Sequence, residues 1–305
     1  MQYKKINEKI NEKIQAVRLG GGQEKIDKQH KAGKLTARER IEILLDPDSF
    51  EEMDAFTEHR CYNFNMQDKI FPGDGVIIGY GTINGRMIFV YSQDFTVIGG
   101  SLGEMHAKKI NKIQDLALKL KAPIISINDS GGARIQEGVD SLKGYGEIFQ
   151  KNVDSSGVIP QITIIMGPCA GGAVYSPALT DFIFMVAKTS YMYLTGPDIV
   201  KTATHEDVTH EELGGADIHM KESGVIDYIA ENDIECLQMV RRLFDFLPSS
   251  NTSELPTYKT NDPADRIEMS LETLVPKDKV KPYDMKQLIE KVVDEGDYFE
   301  IKDHY

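Results

Sequence analysis

The chain has 305 residues, of which 41% are hydrophobic, so it is long enough for one large or two ordinary domains and is not mainly disordered. Its formal net charge of −13 disfavours binding to nucleic acid, and no apolar run reaches the length of a membrane span. Cys61, Cys169 and Cys236 form no CxxC pair, so neither a disulfide framework nor a metal site is predicted. Together with an N-terminus that lacks an apolar leader, these features predict a cytoplasmic protein.

The first forty residues are the basic part of the chain, with eleven Lys or Arg against five Asp or Glu. Isoleucines at helical spacing predict an amphipathic helix over residues 3–18, and the glycines of residues 20–22 end it. Thr36 and Glu39 have the spacing of a capping box, so a second helix is predicted to begin there. This basic segment is a candidate anion site or simply a solvated helix face.

The pattern then changes to two strands over residues 75–93, joined by an Asn-Gly hairpin turn at residues 84–85. A long helix is predicted over residues 101–121, with Ser101 and Glu104 at capping-box spacing. Ser101 also belongs to a GxSxG match, but no strand runs straight into it as a nucleophile elbow requires. The pattern therefore favours Ser101 as a helix cap.

Two glycine turns follow two buried strands of similar length. Residues 123–128 form the first strand and lead into DSGGAR at residues 129–134. Residues 161–165 form the second and lead into MGPCAGGA at residues 166–173, which opens a helix-compatible run. Strands that alternate with helices predict an α/β protein with a parallel or mixed sheet, where such turns lie together at the carboxyl ends of the strands. Their backbone N–H groups then form a candidate site for an oxyanion.

Side chains near these turns have competing interpretations. Arg134 is a candidate partner for an anionic ligand, although a salt bridge to Asp129 or Glu137 is the simpler role. Cys169 borders the second turn, but no histidine is spaced as its partner, which favours a small buried cysteine. The two histidines of residues 205–210 are five apart and lie on different faces of a helix, so a zinc site is rejected there.

Several of these motifs together resemble one family, the biotin-dependent acyl-CoA carboxyltransferases. The likeness is greatest to the branch that contains propionyl-CoA carboxylase β subunits and methylmalonyl-CoA carboxyltransferases, and it covers nearly the whole chain in order. The motifs that carry it are KLTARERIEILLD (residues 34–46), SQDFTVIGGS (92–101), DSGGARIQEG (129–138), the stretch 166–182, GPDIVK (196–201) and EELGGA (211–216).

The resemblance implies a crotonase-like α/β fold, the ββα spiral of the ClpP/crotonase superfamily. Residues 1–260 correspond to the family's N-terminal domain, which holds acyl-CoA. The turn-rich residues 249–265 are typical of a linker. Residues 261–305 then correspond to a short, incomplete start of the C-terminal carboxyltransferase domain, so the resemblance covers the first half of the family's chain.

The implied activity is transfer of a carboxyl group between carboxybiotin and the α carbon of a short acyl-CoA, with propionyl-CoA and methylmalonyl-CoA as the expected pair. Biotin is carried on a separate carboxyl-carrier protein or domain, and the implied partners are that carrier, a biotin carboxylase subunit and further copies of the full-length chain. The biotin anion takes the α proton, so no protein base is required. Stabilisation of the thioester enolate is left to backbone donors.

The resemblance also implies the site residues. The predicted enolate-stabilising positions are Gly131, Gly132, Ala133, Gly171, Gly172 and Ala173. The predicted acyl-CoA contacts are Lys34, Arg38 and Arg40 for the CoA phosphates and Gly99 and Gly100 beside the pantetheine. Three alternatives stay open: a subunit of a methylmalonyl-CoA or glutaconyl-CoA decarboxylase complex, a non-catalytic acyl-CoA-binding half subunit, and a crotonase-type hydratase or hydrolase, which the lack of a clear acid or base disfavours.

Overall fold

The computed structural model describes residues 2–278 and 280–303. Its amino-terminal segment is helical, as the sequence predicts. Thr36 accepts a hydrogen bond from the Glu39 backbone N–H, and the Glu39 carboxylate accepts one from the Thr36 N–H at 2.8 Å, so the predicted capping box is confirmed. The three helices of this segment are α1 (Gln2–Leu19), α2 (Gln23–Lys31) and α3 (Ala37–Leu44).

One mixed sheet of eight strands occupies the centre of the described chain. Its strands are β1 (Glu51–Met53), β2 (Val76–Ile83), β3 (Arg86–Gln93), β4 (Ile124–Ser130), β5 (Gln161–Ala170), β6 (Phe182–Val186), β7 (Tyr191–Tyr193) and β8 (Tyr228–Ala230). The spatial order is β1-β2-β3-β4-β5-β6-β8, and β7 pairs with the far end of β5. Pairing is antiparallel from β1 to β3 and parallel from β3 onward.

The predicted hairpin turn joins β2 to β3. Asn84 and Gly85 both have positive φ, 51° and 76°, which a type I′ turn requires of its two central residues. The strands on either side pair in register from Ile83 opposite Arg86 to Val76 opposite Gln93. The hairpin prediction is therefore confirmed.

Helices cover both faces of the sheet. The helices after α3 are α4 (Glu104–Leu120), α5 (Val139–Ser155), α6 (Gly172–Ala178), α7 (Pro197–Thr204), α8 (His210–Gly214), α9 (Ala216–Lys221), α10 (Asp233–Phe244), α11 (Leu271–Leu274) and α12 (Met285–Val292). One apolar core lies between the sheet and α4 and α5, and a second lies between the sheet and α3 and α10. Ile124 belongs to the first core and Ile125 to the second, because successive side chains of a strand point to opposite faces. None of the described helices could cross a membrane.

The start of α4 differs from the prediction. The helix begins at Glu104 with Gly103 at its N-cap, so Ser101 is not the cap and its proposed capping box with Glu104 is wrong. Ser101 instead donates its hydroxyl to the Ile98 carbonyl at 2.7 Å. The reason is tertiary: Leu102 pairs with Ala133 in an isolated parallel bridge, which keeps the chain extended until Gly103.

The carboxyl-terminal segment packs against the body of the chain. Lys302 donates its N–H to the Asp227 carbonyl at 3.0 Å, and the Tyr258 hydroxyl donates to the Asp245 carbonyl at 2.9 Å. Within the described residues after Ala230 the chain forms helices and turns but no strand. A domain boundary near residue 260 stays a prediction.

Candidate functional site

The two glycine turns lie side by side at the carboxyl ends of β4 and β5. Ser130 pairs with Cys169, so the last residues of the two strands bring residues 129–134 (the first turn) against residues 166–173 (the second turn). A Cβ at Gly132 would lie 2.7 Å from the Ala170 carbonyl oxygen, and the φ of Gly132 is +95°. Only glycine fits there, because the backbone of one turn passes directly over the other.

A third loop, the one that contains Gly99 and Gly100, supports the first turn. The Gly99 carbonyl accepts the N–H of Gly131 at 2.9 Å, and the Gly100 carbonyl accepts the Ser130 hydroxyl at 2.7 Å. A Cβ at Gly100 would overlap the carbonyl oxygen of Asp129. The structure thus gives both glycines a backbone-packing role beneath the turn; their predicted place beside the pantetheine stays a prediction.

Three of the six predicted oxyanion donors already have acceptors within the protein. The N–H of Gly131 donates to Gly99, that of Gly132 donates to the Ser130 hydroxyl at 3.1 Å, and that of Gly171 donates to the Tyr193 carbonyl at 3.2 Å. A donor that is engaged in this way is not available to a ligand without breaking its bond. These glycines shape the turns instead of facing a ligand.

The other three predicted donors, at Ala133, Gly172 and Ala173, have no acceptor in the described part of the chain. Leu102 bonds to the residues on either side of Ala133, so the N–H of Ala133 itself points away from Leu102. Gly172 and Ala173 are the first residues of α6, where N–H groups have no intrahelical acceptor. The first turn therefore has one N–H group without an acceptor, and the second turn has two.

Arg134 fixes the first turn from inside the protein. Its side chain is fully buried, and Nη1 lies 2.6 Å from Asp74 Oδ1 and 2.8 Å from Glu137 Oε1. Nη2 donates to the Ser101 carbonyl at 2.9 Å. The predicted pairing with Glu137 is confirmed and that with Asp129 is wrong. Since its donors are directed inward, Arg134 is not available to an anionic ligand.

The second turn is fixed by close packing. A Cβ at Gly172 would lie 2.8 Å from the ring of Tyr145, so the glycine lets α5 and α6 approach closely. Cys169 is fully buried, which confirms the predicted buried cysteine, and burial raises the pKa of its thiol far above the ordinary value. Burial likewise raises the pKa of the Tyr145 phenol. Neither group is an acid or base at neutral pH.

Lys34 and Arg40, predicted to meet the CoA phosphates, lie inside the protein. Lys34 is 7% exposed and its Nζ is 2.7 Å from Asp129 Oδ2, while Arg40 is fully buried between Asp129 and Asp233. Desolvation lowers the pKa of the Lys34 ammonium. A phosphate would have to break a buried ion pair to reach either residue, and the phosphate assignment stays a prediction.

Arg38, the third predicted phosphate contact, faces the surface more than the other two. Its guanidinium pairs with Glu52 through both terminal nitrogens, at 2.9 and 3.2 Å. A phosphate would have to replace that carboxylate. The charge of Arg38 is thus paired with a carboxylate from outside the first forty residues.

Sequence reasoning missed two carboxylates that organise the site. Asp74 receives Arg134, and Asp233 receives Arg40, although they lie 60 and 193 residues away in the chain. Asp74 had a local signal, its position between Gly73 and Gly75, and the structure gives it a φ of 48°, which is uncommon outside glycine. Asp233 had none, since its position at the start of α10 is equally typical of a helix cap.

The described residues contain no group of three or more His, Cys, Asp or Glu arranged to hold a metal ion. His210, one of the two histidines weighed as a metal ligand, lies at the start of α8 with its Nδ1 3.0 Å from the Tyr193 hydroxyl. This contact ties α8 to β7, the strand whose Tyr193 carbonyl also receives the N–H of Gly171. His210 therefore supports the second turn indirectly.

Comparison with known proteins identifies the family of the chain. Residues 28–305 match the carboxyl transferase domain family. The propionyl-CoA carboxylase beta chain of Roseobacter denitrificans is 61% identical over 302 residues, and the methylmalonyl-CoA decarboxylase subunit alpha of Veillonella parvula is 55% identical over 298 residues. These alignments cover 99% and 98% of this chain but 59% and 58% of the relatives.

A crystal structure of transcarboxylase 12S, with methylmalonyl-coenzyme A and methylmalonic acid bound, superposes with a TM-score of 0.94 at 49% identity. The superposition covers 97% of this chain and 57% of that one. The predicted crotonase-like α/β fold is confirmed, and the chain spans somewhat more than half the length of the relatives it matches. On the family match and these identities, the chain belongs to the carboxyl transferase domain family.

Proposed function

We propose that this chain forms the acyl-CoA half of a biotin-dependent carboxyltransferase, which moves a carboxyl group between biotin and the α carbon of a short acyl-CoA. The observation that carries the proposal is the pair of adjoining turns, whose N–H groups at Ala133, Gly172 and Ala173 have no acceptor in the described chain. Propionyl-CoA and methylmalonyl-CoA are the proposed substrates, because relatives at 61% and 55% identity are named for propionyl-CoA and methylmalonyl-CoA.

The chemistry needs an oxyanion site. Loss of the α proton of an acyl-CoA moves negative charge onto the thioester oxygen, and fixed N–H donors favour that state over the neutral thioester. Removal of one such donor costs about 3–4 kcal/mol in known enzymes. Ala133 from the first turn and Gly172 from the second would hold this oxygen between them, and each lies two or three residues beyond the end of its strand.

The described side chains at the turns supply no base. Asp129 and Arg134 are engaged in buried ion pairs, and Cys169 is buried with a raised pKa. This fits a reaction in which the second substrate brings its own base. Biotin, when presented by its carrier, would supply both the carboxyl group and that base. The chain's own part is to bind the thioester, hold its oxygen and exclude water.

The remaining machinery is proposed to lie outside this chain. Biotin would arrive on a carboxyl-carrier protein that a biotin carboxylase subunit loads, and assembly into a homo-oligomer would complete the site, as the structurally similar transcarboxylase 12S is a hexamer assembly. Exposed apolar side chains after the first turn and after β7 suit such a contact. They are Ile135, Val139, Leu142, Leu194 and Ile199. The cytoplasmic location stays part of the proposal.

A decarboxylase complex is the second candidate, because methylmalonyl-CoA decarboxylase alpha subunits from Veillonella parvula and Propionigenium modestum are 55% and 52% identical to this chain. The same oxyanion site serves both directions, since the enolate is common to them. Because the transfer itself is reversible, the partner that completes the reaction separates the two functions: a carboxylase carboxylates propionyl-CoA with a biotin carboxylase subunit that loads the carrier, whereas a decarboxylase consumes methylmalonyl-CoA with a partner that releases carbon dioxide from the carrier.

Calorimetric titration of the purified chain with propionyl-CoA, acetyl-CoA and free CoA tests the proposal. We expect the acyl thioesters to bind more tightly than free CoA, because only they present a thioester carbonyl oxygen to the turns. Equal affinity for all three would contradict an oxyanion site at Ala133 and Gly172. Binding without carboxyl transfer, after addition of carrier and the complementary half, would favour the non-catalytic acyl-CoA-binding subunit.

A further inference from the structure

The pairing of β4 with β5 is interrupted just before the two turns. The strands run in register until Asn128 lies opposite Ile165, and the next pair is Ser130 opposite Cys169. Asp129 of β4 therefore faces residues 166–168 of β5, so β5 carries extra residues at this bulge. Bulges next to active sites re-aim the residues that follow them, and here those residues form the second turn.

Arg40 occupies the interruption. Its guanidinium is fully buried and makes three contacts in different directions: Nη1 to Asp129 Oδ2 at 3.0 Å, Nη2 to the Met166 carbonyl at 2.8 Å and Nε to Asp233 Oδ2 at 2.9 Å. Asp129 is the first residue of the first turn, and Met166 is the first residue of the second. The planar guanidinium of Arg40 thus contacts the first residue of each turn.

Asp129 is confined from the opposite side by Gly167. A Cβ at Gly167 would overlap Asp129 Oδ1, so the carboxylate lies directly against the backbone of the bulge. Oδ1 is buried without a hydrogen-bond partner, while Oδ2 takes Lys34 as well as Arg40. The carboxylate therefore has little room to move relative to β5.

The cluster formed by Lys34, Arg40, Asp129 and Asp233 is neutral overall and almost completely buried. Such clusters are weak sources of stability, because desolvation offsets most of the Coulomb attraction, and an apolar replacement is often as stable. Stability alone therefore does not account for four charged groups beneath the turns. Their geometry does, since the guanidinium is a rigid fork with directed donors.

We propose that Arg40 is a positioning residue that sets the spacing between the N–H donors of the first and second turns by holding the bulge of β5 against Asp129. The inference rests on the proposed function, because it needs the donors at Ala133 and Gly172 to act on one oxygen. Asp233, at the start of α10, holds the guanidinium from behind. A lysine at position 40 keeps the charge but cannot make the three contacts together.

Isotope-edited infrared spectroscopy of bound propionyl-CoA, labelled with ¹³C at the thioester carbonyl, tests this role. Two donors on one oxygen polarise the carbonyl and lower its stretching frequency, so the wild-type chain should show a downward shift on binding. In Arg40→Lys we expect propionyl-CoA to bind but most of that shift to be lost. Arg241→Lys is the matched control, because Arg241 also joins a carboxylate, Asp46, to a backbone carbonyl, that of Leu44, beside the hairpin at the opposite end of β3.

Asp233→Asn is the second variant, since it loosens Arg40 without change of side-chain size and touches neither turn. We expect it to lose part of the shift and Arg241→Lys to lose none. If Arg40→Lys and Asp233→Asn both fold and both keep the full shift, the positioning role is overturned while the proposed function stays intact. If neither Arg40→Lys nor Asp233→Asn folds, the cluster is an element of stability and the positioning role is also overturned. Absence of a shift in the wild-type chain would overturn the proposed function and this role together.

Discussion

The two turns have the same design but different support. The first turn is fixed by buried ion pairs, in which Arg134 reaches Asp74 and Glu137. The second has buried charge only at its start, where Arg40 reaches the Met166 carbonyl, and its donor end is fixed by close contact with the ring of Tyr145 against Gly172 and by a backbone bond from Gly171 to Tyr193. The donor end of the first turn therefore depends on charged groups and that of the second on shape, although both present backbone donors at the same edge of the sheet.

This difference shows that an oxyanion site needs fixed donors but does not dictate how they are fixed. The first turn leads into a short 3₁₀ turn and then α5, so its backbone has few helical bonds of its own and takes support from side chains. The second turn leads straight into α6, which orders its donors, and only steric room has to be provided. The two supports should respond differently to mutation and to pH.

Removal of Arg134 should have the largest effect. In Arg134→Met, Asp74 stays buried without its partner, and we expect a loss of about 3–5 kcal/mol in the free energy of unfolding. Urea denaturation measures it. The exposed pair of Arg60 with Glu104 supplies the control, because Arg60→Met should cost at most about 1 kcal/mol. Equal losses in the two variants would refute support of the first turn by buried charge.

A larger side chain in the second turn should act through shape. In Gly172→Val the side chain would meet the ring of Tyr145, at a cost of about 1–3 kcal/mol in unfolding free energy, without change of charge. The displaced N–H should also weaken propionyl-CoA binding by about tenfold or more in calorimetric titration, which corresponds to about 1.4 kcal/mol. Unchanged binding would show that the Gly172 donor is not part of the site.

Acid should weaken the support of the first turn and spare the second. Burial, assisted by Arg134 and Lys109, lowers the pKa of His106 well below 6.5, and His106 contacts the Asp74 backbone. The unfolded chain therefore takes up a proton that the folded chain does not, so unfolding free energy falls by about 1.4 kcal/mol for each pH unit below about 6.5. His106→Gln should remove this component in urea denaturation from pH 7 to pH 5. Burial raises the pKa of Asp74, so this group makes the unfolding free energy rise as the pH falls. That contribution is present in the wild type and in His106→Gln, so it cancels when the two are subtracted.

The smallest predicted effect concerns Gly144 and Gly146, the two glycines that flank Tyr145 on α5. Gly146 lies in the interior of the helix with open space around it, so Gly146→Ala should raise unfolding free energy by about 0.5–1 kcal/mol. Gly144 faces Ala107 of α4 at 2.5 Å from its Cβ position, so Gly144→Ala should be destabilising. Thermal denaturation of the pair checks both signs. Stabilisation by both substitutions would mean that α4 and α5 do not need a close contact to place Tyr145.

Local sequence rules predicted the elements that depend on neighbouring residues. The capping box at Thr36 and the hairpin at Asn84 hold, because each is satisfied within a few residues of chain. The same capping rule failed at Ser101, where a distant partner, Ala133, keeps the chain extended. A local sequence pattern cannot predict the bridge between Leu102 and Ala133, because the two residues are distant in the chain.

The sequence by itself determined the mixed α/β sheet, the two strand-to-turn units and the positions of their glycines, because strand periodicity and tight turns are local properties. Tertiary structure decided which N–H groups remain available, since the acceptors for Gly131 and Gly171 come from residues 99 and 193. It also turned Lys34 and Arg40 from apparent surface charge into a buried cluster. The physical reason is that burial and ion pairing depend on contacts such as Arg40 with Asp129, 89 residues apart in the chain.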